Sequence, residues 1–208
     1  MPRIVDPHAR RQEISEAAIR VLARGGTQAL TLKSLAEELG GSITLVTHFF
    51  ANRDELFVAI TDDMIASYDA MFDDTDDGVD AYGRLRSLLT WMSPFTAEDI
   101  AMETGRIALI WRRDEHESIA HFFTAMEQRM RSMLRRRLEG LVPTKDLDNA
   151  VAYLRAVTNG LTLSAVEHPD LWPPERIEWV IDRALDGLGI APIPRRRGRS
   201  AKASPDTK

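Results

Sequence analysis

No cysteine occurs in the 208 residues, aromatic residues make up only 7%, and no apolar run approaches the ~18 residues a membrane span requires. Without cysteine there is neither a disulfide nor a thiolate metal ligand, and a cytoplasmic location is expected. The opening stretch MPRIVDPHARRQEISEAA is charged throughout and has no apolar signal-peptide core, in line with that expectation. Alternation of apolar and polar residues with a period of two is nearly absent, so no sheet is expected. There is no Gly-rich phosphate loop and no Gly-x-Ser-x-Gly turn. The nearest catalytic pattern, His116-Glu117-Ser118-Ile119-Ala120-His121, has one residue too many for a zinc-protease signature. Five helical steps set its histidines about 140° apart, where four would set them about 40° apart. Glu117 and His121 share a face, but two ligands make no metal site. The expectation is a chain with no enzymatic activity, no metal or other cofactor, and no membrane partner.

With 44% hydrophobic and 28% charged residues, the chain has the composition of a globular protein and is long enough to bury a substantial core. Its net charge of −5 is unevenly placed. Residues 1–60 carry seven basic and seven acidic side chains, and 195–208 carry six basic and one acidic, which leaves −10 for 61–194. A neutral head, an acidic body and a basic tail suit nucleic-acid contact at the head alone, although plain surface scatter would give the same body charge.

Apolar periodicity near 3.6 residues runs almost throughout and predicts an all-α fold of about nine helices. Asp6 and Pro7 open the first, with Ile14, Ala17, Ala18, Val21 and Leu22 as its apolar stripe and Gly25-Gly26 as its end. Thr31 caps a second that buries Leu35, Ala36 and Leu39 and stops at Gly40-Gly41, and Ser42 caps a third. Asn52-Arg53-Asp54-Glu55 resembles a capping box opening a longer helix with Leu56, Ile60, Met64 and Tyr68 inward. After the acidic break at 73–78, amphipathic stretches follow near 79–92, 97–112 (opened by Thr96-x-x-Asp99), 115–140, 145–168 and 174–188. The final segment from Pro192 has no apolar face and reads as a disordered basic tail. The expected division is 1–52, 53–192 and 193–208.

Helix, tight Gly turn and second short helix over 28–50 form a helix-turn-helix pattern, a device that places one helix in a DNA major groove. With Val46, Phe49 and Phe50 inward, about 100° per residue sends Ile43, Thr44, Thr47 and His48 outward, with Leu45 at the margin. The two threonines can bond bases or phosphates, and Ile43 or Leu45 can pack on a thymine methyl. No Arg or Lys lies on this helix, so phosphate grip falls to Lys33, Arg53, Arg3, Arg10 and Arg11, each of which also suits a plain solvated charge. The DNA-facing set is Lys33, Ser42, Ile43, Thr44, Leu45, Thr47, His48 and Arg53, and the partner is an operator in double-stranded DNA.

Ile14-x-x-Ala17-Ala18, Gly25/Gly26, Leu30-Thr31-Leu32, Leu35-Ala36, Gly40, Ser42, His48-x-Phe50 and Asn52-Arg53-Asp54-Glu55-Leu56 keep, without a gap, the order and spacing of one known pattern. Over residues 10 to 60 the chain resembles the TetR family of transcriptional regulators. Asn159-Gly160-Leu161 and Pro173-Pro174-Glu175 before the last helix are similar to the BetI-like branch. The resemblance implies a three-helix DNA-binding head and a helical body that binds a small molecule and dimerises; a DNA-binding factor regulated by a protein partner, or an architectural one with no small-molecule effector, is the other reading the residues allow. His48 and Arg53 match the family's DNA contacts, whereas Thr47 stands where a Tyr is usual, Leu45 where a Thr is usual, and Ile43 and Thr44 where small or polar residues are usual. The reading face therefore departs from the pattern while the scaffold keeps it.

Taken with that likeness, the bulky side chains between 91 and 133 suggest an effector pocket formed by Trp91, Phe95, Met102, Glu103, Trp111, Phe122 and Met126, taking a small apolar or mixed-polarity molecule. The same stripe also fits plain core. Val151, Leu154, Val157 and Leu161, with Ile177, Ile181 and Leu185, are the expected homodimer interface, two helices per subunit forming a four-helix bundle. Packing of both helices inside the monomer is the other arrangement that fits.

Overall fold

The computed structural model describes residues 29–73 and 79–192, together with 10, 13, 14, 16–18, 20, 21 and 24, and omits the side chains of 67 and 69–73. The expectations for Asp6 and Pro7, for Gly25-Gly26, for Arg3, Arg11 and Leu22, for most of the acidic break and for the basic tail fall outside those residues. Eight α-helices are bounded within them: α1 (Leu32–Glu38), α2 (Ile43–Thr47), α3 (Arg53–Asp73), α4 (Ala81–Trp91), α5 (Ala97–Ile110), α6 (Glu117–Leu138), α7 (Leu147–Glu167) and α8 (Pro174–Gly187). The described positions between 10 and 24 are helical as well, and no strand forms among the described residues. The fold is all-α, as the periodicity predicts.

Local chemistry sets the helix starts. At α1, Ser34 N–H donates to Thr31 Oγ1 and Thr31 N–H donates to Ser34 Oγ, both at 3.0 Å, so two donors without helical partners are satisfied reciprocally. Asp80 caps α4 by accepting from Gly83 N–H at 2.7 Å, and Thr96 with Asp99 forms a second capping box at α5. Caps of this kind contribute about 1 kcal/mol each.

Two hydrophobic clusters form among the described residues. The body cluster takes Leu85, Leu88 and Leu89 from α4, Met130, Met133, Leu134 and Leu138 from α6, and the inner stripes of α7 and α8. Arg86 ties α4 to α8 through Asp182 at 2.8 Å, and Arg155 ties α7 to α6 through Glu127 at 2.9 Å. The head cluster joins Ile14, Ala17, Ala18 and Val21 to Leu35, Val46, Phe50, Leu56, Phe57 and Ile60, and continues into Leu109, Ile119 and Phe122 of the body. The expected division at 52/53 is thus not a division of the core, because the first two turns of α3 belong to the head cluster.

The expected dimer set requires a correction. Val151, Leu154, Leu161, Ile177, Ile181 and Leu185 are each no more than 2% exposed within one subunit, and Val157 packs partly buried beside them. The apolar stripes that periodicity picks out on α7 and α8 are the ones the monomer itself buries. Six of the seven thus leave almost no surface for a second copy to cover, and Val157 keeps part of its own.

Candidate nucleic-acid interface

The head is a helix-turn-helix whose turn has an identifiable construction. Gly40 adopts φ 61°, and the end of α1 is closed by Gly41 N–H to Ala36 C=O at 2.9 Å and Gly40 N–H to Glu37 C=O at 3.1 Å. This is a Schellman closure, and the left-handed residue it needs is one that glycine adopts without strain. A Cβ on Gly41 would come 3.0 Å from Leu45 Cδ2, so the second glycine lets α2 fold back closely over the turn. Helical bonding continues past Thr47, with His48 N–H to Thr44 C=O at 3.1 Å and Phe50 N–H to Val46 C=O at 3.0 Å.

The two faces of α2 divide much as the sequence predicts. Val46 and Phe50 are fully buried, Phe49 is half-buried, and Ile43 (47% exposed), Thr44, Thr47 and His48 face outward with Leu45 at the margin. Thr47 Oγ1 donates to Thr44 C=O at 3.3 Å, and the His48 ring meets Phe49 edge-on at 5.2 Å, which steadies the end of the outward face. Ser42 occupies the N-cap with extended backbone, but its hydroxyl makes no capping hydrogen bond, contrary to the expected cap role. Lys33 is exposed on α1, 3.9 Å from Glu37. Arg53 is half-buried at the start of α3, beside a cavity of ≈ 10 Å³ shared with Asp54, Phe57, Leu109, Arg112, His116, Ser118 and Ile119, room for about one water.

The supports of this face are partly local, as at the expected Asn52–Glu55 cap, and partly between positions far apart in sequence. Glu38 of α1 is gripped by Arg20 at 2.9 Å and by Arg24, and these two guanidiniums hold its carboxyl below the usual carboxylate range. Asn52 Oδ1 accepts from Glu55 N–H at 2.9 Å, while the Glu55 carboxylate reaches back to Ala51 N–H at 2.8 Å and so fastens α3 to the chain leaving α2. Across the junction, Ser118 Oγ donates to Asp54 Oδ1 at 2.9 Å and His121 Nε2 lies 3.0 Å from Asp62 Oδ1. Partners separated by 64 and 59 positions leave no periodicity to detect.

In the body, only part of the expected pocket set converges. Trp91 meets Tyr68 edge-on at 4.7 Å, Phe95 and Met126 pack on the body cluster, and Phe122 is buried between Phe57 at 5.7 Å and Phe123 at 5.2 Å. Glu103 is bonded to Arg106 at 2.6 Å. Met102 and Trp111 are 62% and 85% exposed, so neither lines the interior of one subunit. Among the residues of α5 only Leu109 is buried, and bulk alone misplaced these two side chains. Tyr68, which the sequence places simply in the core, belongs with Trp91 and Glu103. Burial pushes its phenol up to about 12, and the nearby Glu103 charge adds to that shift.

On the outward faces of the last two long helices, Tyr153 (44% exposed), Leu163 (45%) and Trp179 (62%) stand out, interleaved with the exposed small residues Ala152, Ala156 and Gly160. Tyr153 Oη comes within 3.8 Å of where a Cβ on Gly187 would lie, so the two faces adjoin.

No helix among the described residues is long and apolar enough to cross a membrane. Residues 14–60 match the family described as "Bacterial regulatory proteins, tetR family", and residues 81–189 match "BetI-type transcriptional repressor, C-terminal". Among curated relatives, the HTH-type transcriptional regulator BetI of Rhizobium meliloti (strain 1021) is 26% identical over 171 residues, covering 77% of this chain and 80% of that one. A transcriptional regulator from Rhodococcus sp. Rha1 shares the fold with a TM-score of 0.71 at 24% identity, over 88% of this chain and 99% of the other. A transcriptional regulator from Saccharomonospora viridis, solved in complex with choline, has a TM-score of 0.66 at 18% identity, over 86% and 96%. With an all-α head-and-body fold and both segments matched in order, the chain belongs to the TetR family of DNA-binding transcriptional regulators and has a BetI-type C-terminal region.

Proposed function

We propose that this regulator binds a palindromic operator as a homodimer, acts as a repressor, and is released from DNA by a small-molecule effector. The observation that carries the reading is the division of α2, which is anchored by Val46 and Phe50 and leaves Ile43, Thr44, Thr47 and His48 outward together. Those four side chains enter the major groove, Leu45 and Ser42 flank them, and Lys33 and Arg53 hold phosphates. Dimerisation uses the outward faces of α7 and α8, centred on Tyr153, Leu163 and Trp179. Exposed aromatics and aliphatics of this size are the usual anchors of such an interface.

The effector acts where α3, α4 and α5 meet. The rings of Tyr68 and Trp91 beside the Glu103 carboxylate favour a molecule with a cationic group, and the choline complex of the Saccharomonospora viridis protein supports that chemistry. The effector shifts the spacing of the two heads only as far as its affinities for the two states differ.

Selection of a binding duplex from random sequence, followed by gel shift, tests the DNA face. Thr47→Ala with His48→Ala is expected to weaken the selected duplex by about tenfold or more, at about 1–3 kcal/mol per base contact, while helicity stays unchanged. Undiminished specific binding by a folded double variant would overturn the assignment.

A further inference from the structure

Adjacent carboxylates at the start of α3 reach in opposite directions. Glu55 bonds back to Ala51 N–H at 2.8 Å, toward the reading helix, while Asp54 accepts the Ser118 hydroxyl at 2.9 Å, across to α6 of the body. Ser118 is only 4% exposed while Asp54 is exposed, so the bond anchors a surface carboxylate of α3 to a buried hydroxyl of α6. Two turns further along α3, about 12 Å on, Asp62 meets His121 of α6 at 3.0 Å. Phe57, between Asp54 and Asp62 on α3, packs on Phe122, next to His121 on α6, with ring centres 5.7 Å apart. Apolar packing tolerates small rotations and slides, whereas two directional contacts, two turns apart on α3 and three residues apart on α6, restrain both the axial position of α3 on α6 and its roll.

We infer that Ser118–Asp54 and His121–Asp62 form a two-rung latch that sets the angle of the DNA-binding head on the body, and so the half-site spacing the dimer accepts. These are positioning residues, since none of the four lies on the reading face. The inference rests on the reading of the chain as a dimeric operator-binding protein. Inserting or deleting one base pair turns one half-site by about 35° and moves it by about 3.4 Å, a mismatch that a fixed head cannot follow and an unlatched head can.

The test measures affinity for the selected duplex, for the same duplex with one base pair added or removed between half-sites, and for a single half-site. Wild type is expected to disfavour the altered spacings by about tenfold or more, whereas Ser118→Ala with His121→Ala disfavours them by only about two- to threefold with its single-half-site affinity unchanged. His121→Ala alone, a change at a half-exposed position, is expected to fall between, and Ser118→Thr to restore the wild-type ratio. Arg86→Ala, which removes a body ion pair far from the junction, is expected to lower thermal stability and leave the ratio unchanged. Unaltered discrimination in the folded double variant and in His121→Ala overturns the latch, as does relaxation of equal size in Arg86→Ala, which would mark general loosening. If wild type shows no spacing preference at all, the dimeric reading falls and the latch falls with it.

Discussion

The body cluster draws every buried member from residues 85 to 190, whereas the head cluster borrows Leu109, Ile119 and Phe122 from the body. The difference follows from element size. The helices α1 and α2 have seven and five residues, too few to bury a core of their own, while α6 and α7 run for 22 and 21. The teaching is directional: the body cluster is complete without any head residue, whereas the head cluster is completed by the first turns of α3 and by side chains of α5 and α6.

Phe122→Ala breaks that comparison most sharply. It opens a cavity beside Phe57 and Phe123 and is expected to cost about 3–5 kcal/mol, with amide-exchange protection lost first around Leu35, Val46 and Phe50. Leu154→Ala, at a fully buried body position, is expected to cost about 2–5 kcal/mol with protection lost across the body and the head together. If Phe122→Ala loosened both regions equally, the borrowed-core description would fail. Next in size, Thr31→Ala removes one arm of the α1 capping box and is expected to cost about 1 kcal/mol, seen as a lower urea midpoint with unchanged slope.

The smallest effect concerns the surface of the head. Arg20 and Arg24 hold the Glu38 carboxyl below its ordinary value of 4.5. A depressed carboxylate stabilises the fold above its unfolded-state value, and that contribution disappears as pH falls through the lower folded-state value. Wild type is therefore expected to exceed Glu38→Gln in thermal stability at neutral pH, and the two melting curves to converge only in acid, once pH has fallen below the lowered folded-state value. A gap that persists in acid would assign the effect to packing instead.

The helices were legible in the sequence because their signals are local. The Thr31 and Thr96 caps, the Gly40 turn and the stripes of α7 and α8 all sit where periodicity and capping chemistry place them. The two faces of α2 were legible for the same reason, since Val46 and Phe50 are set by a fixed rotation per residue. Amphipathicity states that a stripe is buried and is silent on whether its own chain or a second copy covers it. Val151, Leu154, Leu161, Ile177, Ile181 and Leu185 show the limit, being core in one subunit. Met102 and Trp111 show that bulk does not report exposure. The Glu38 clamp and the Ser118–Asp54 contact depend on tertiary placement, which spacing along the chain does not encode.

Hydroxyl-radical footprinting of the selected duplex tests the central claim most directly, that two copies each place α2 in a major groove. The account predicts two protected stretches on one face of the DNA, centred about one helical turn apart or a multiple of that, with both lost in Thr47→Ala/His48→Ala. A single protected stretch, or a wild-type pattern retained by the double variant, would contradict it.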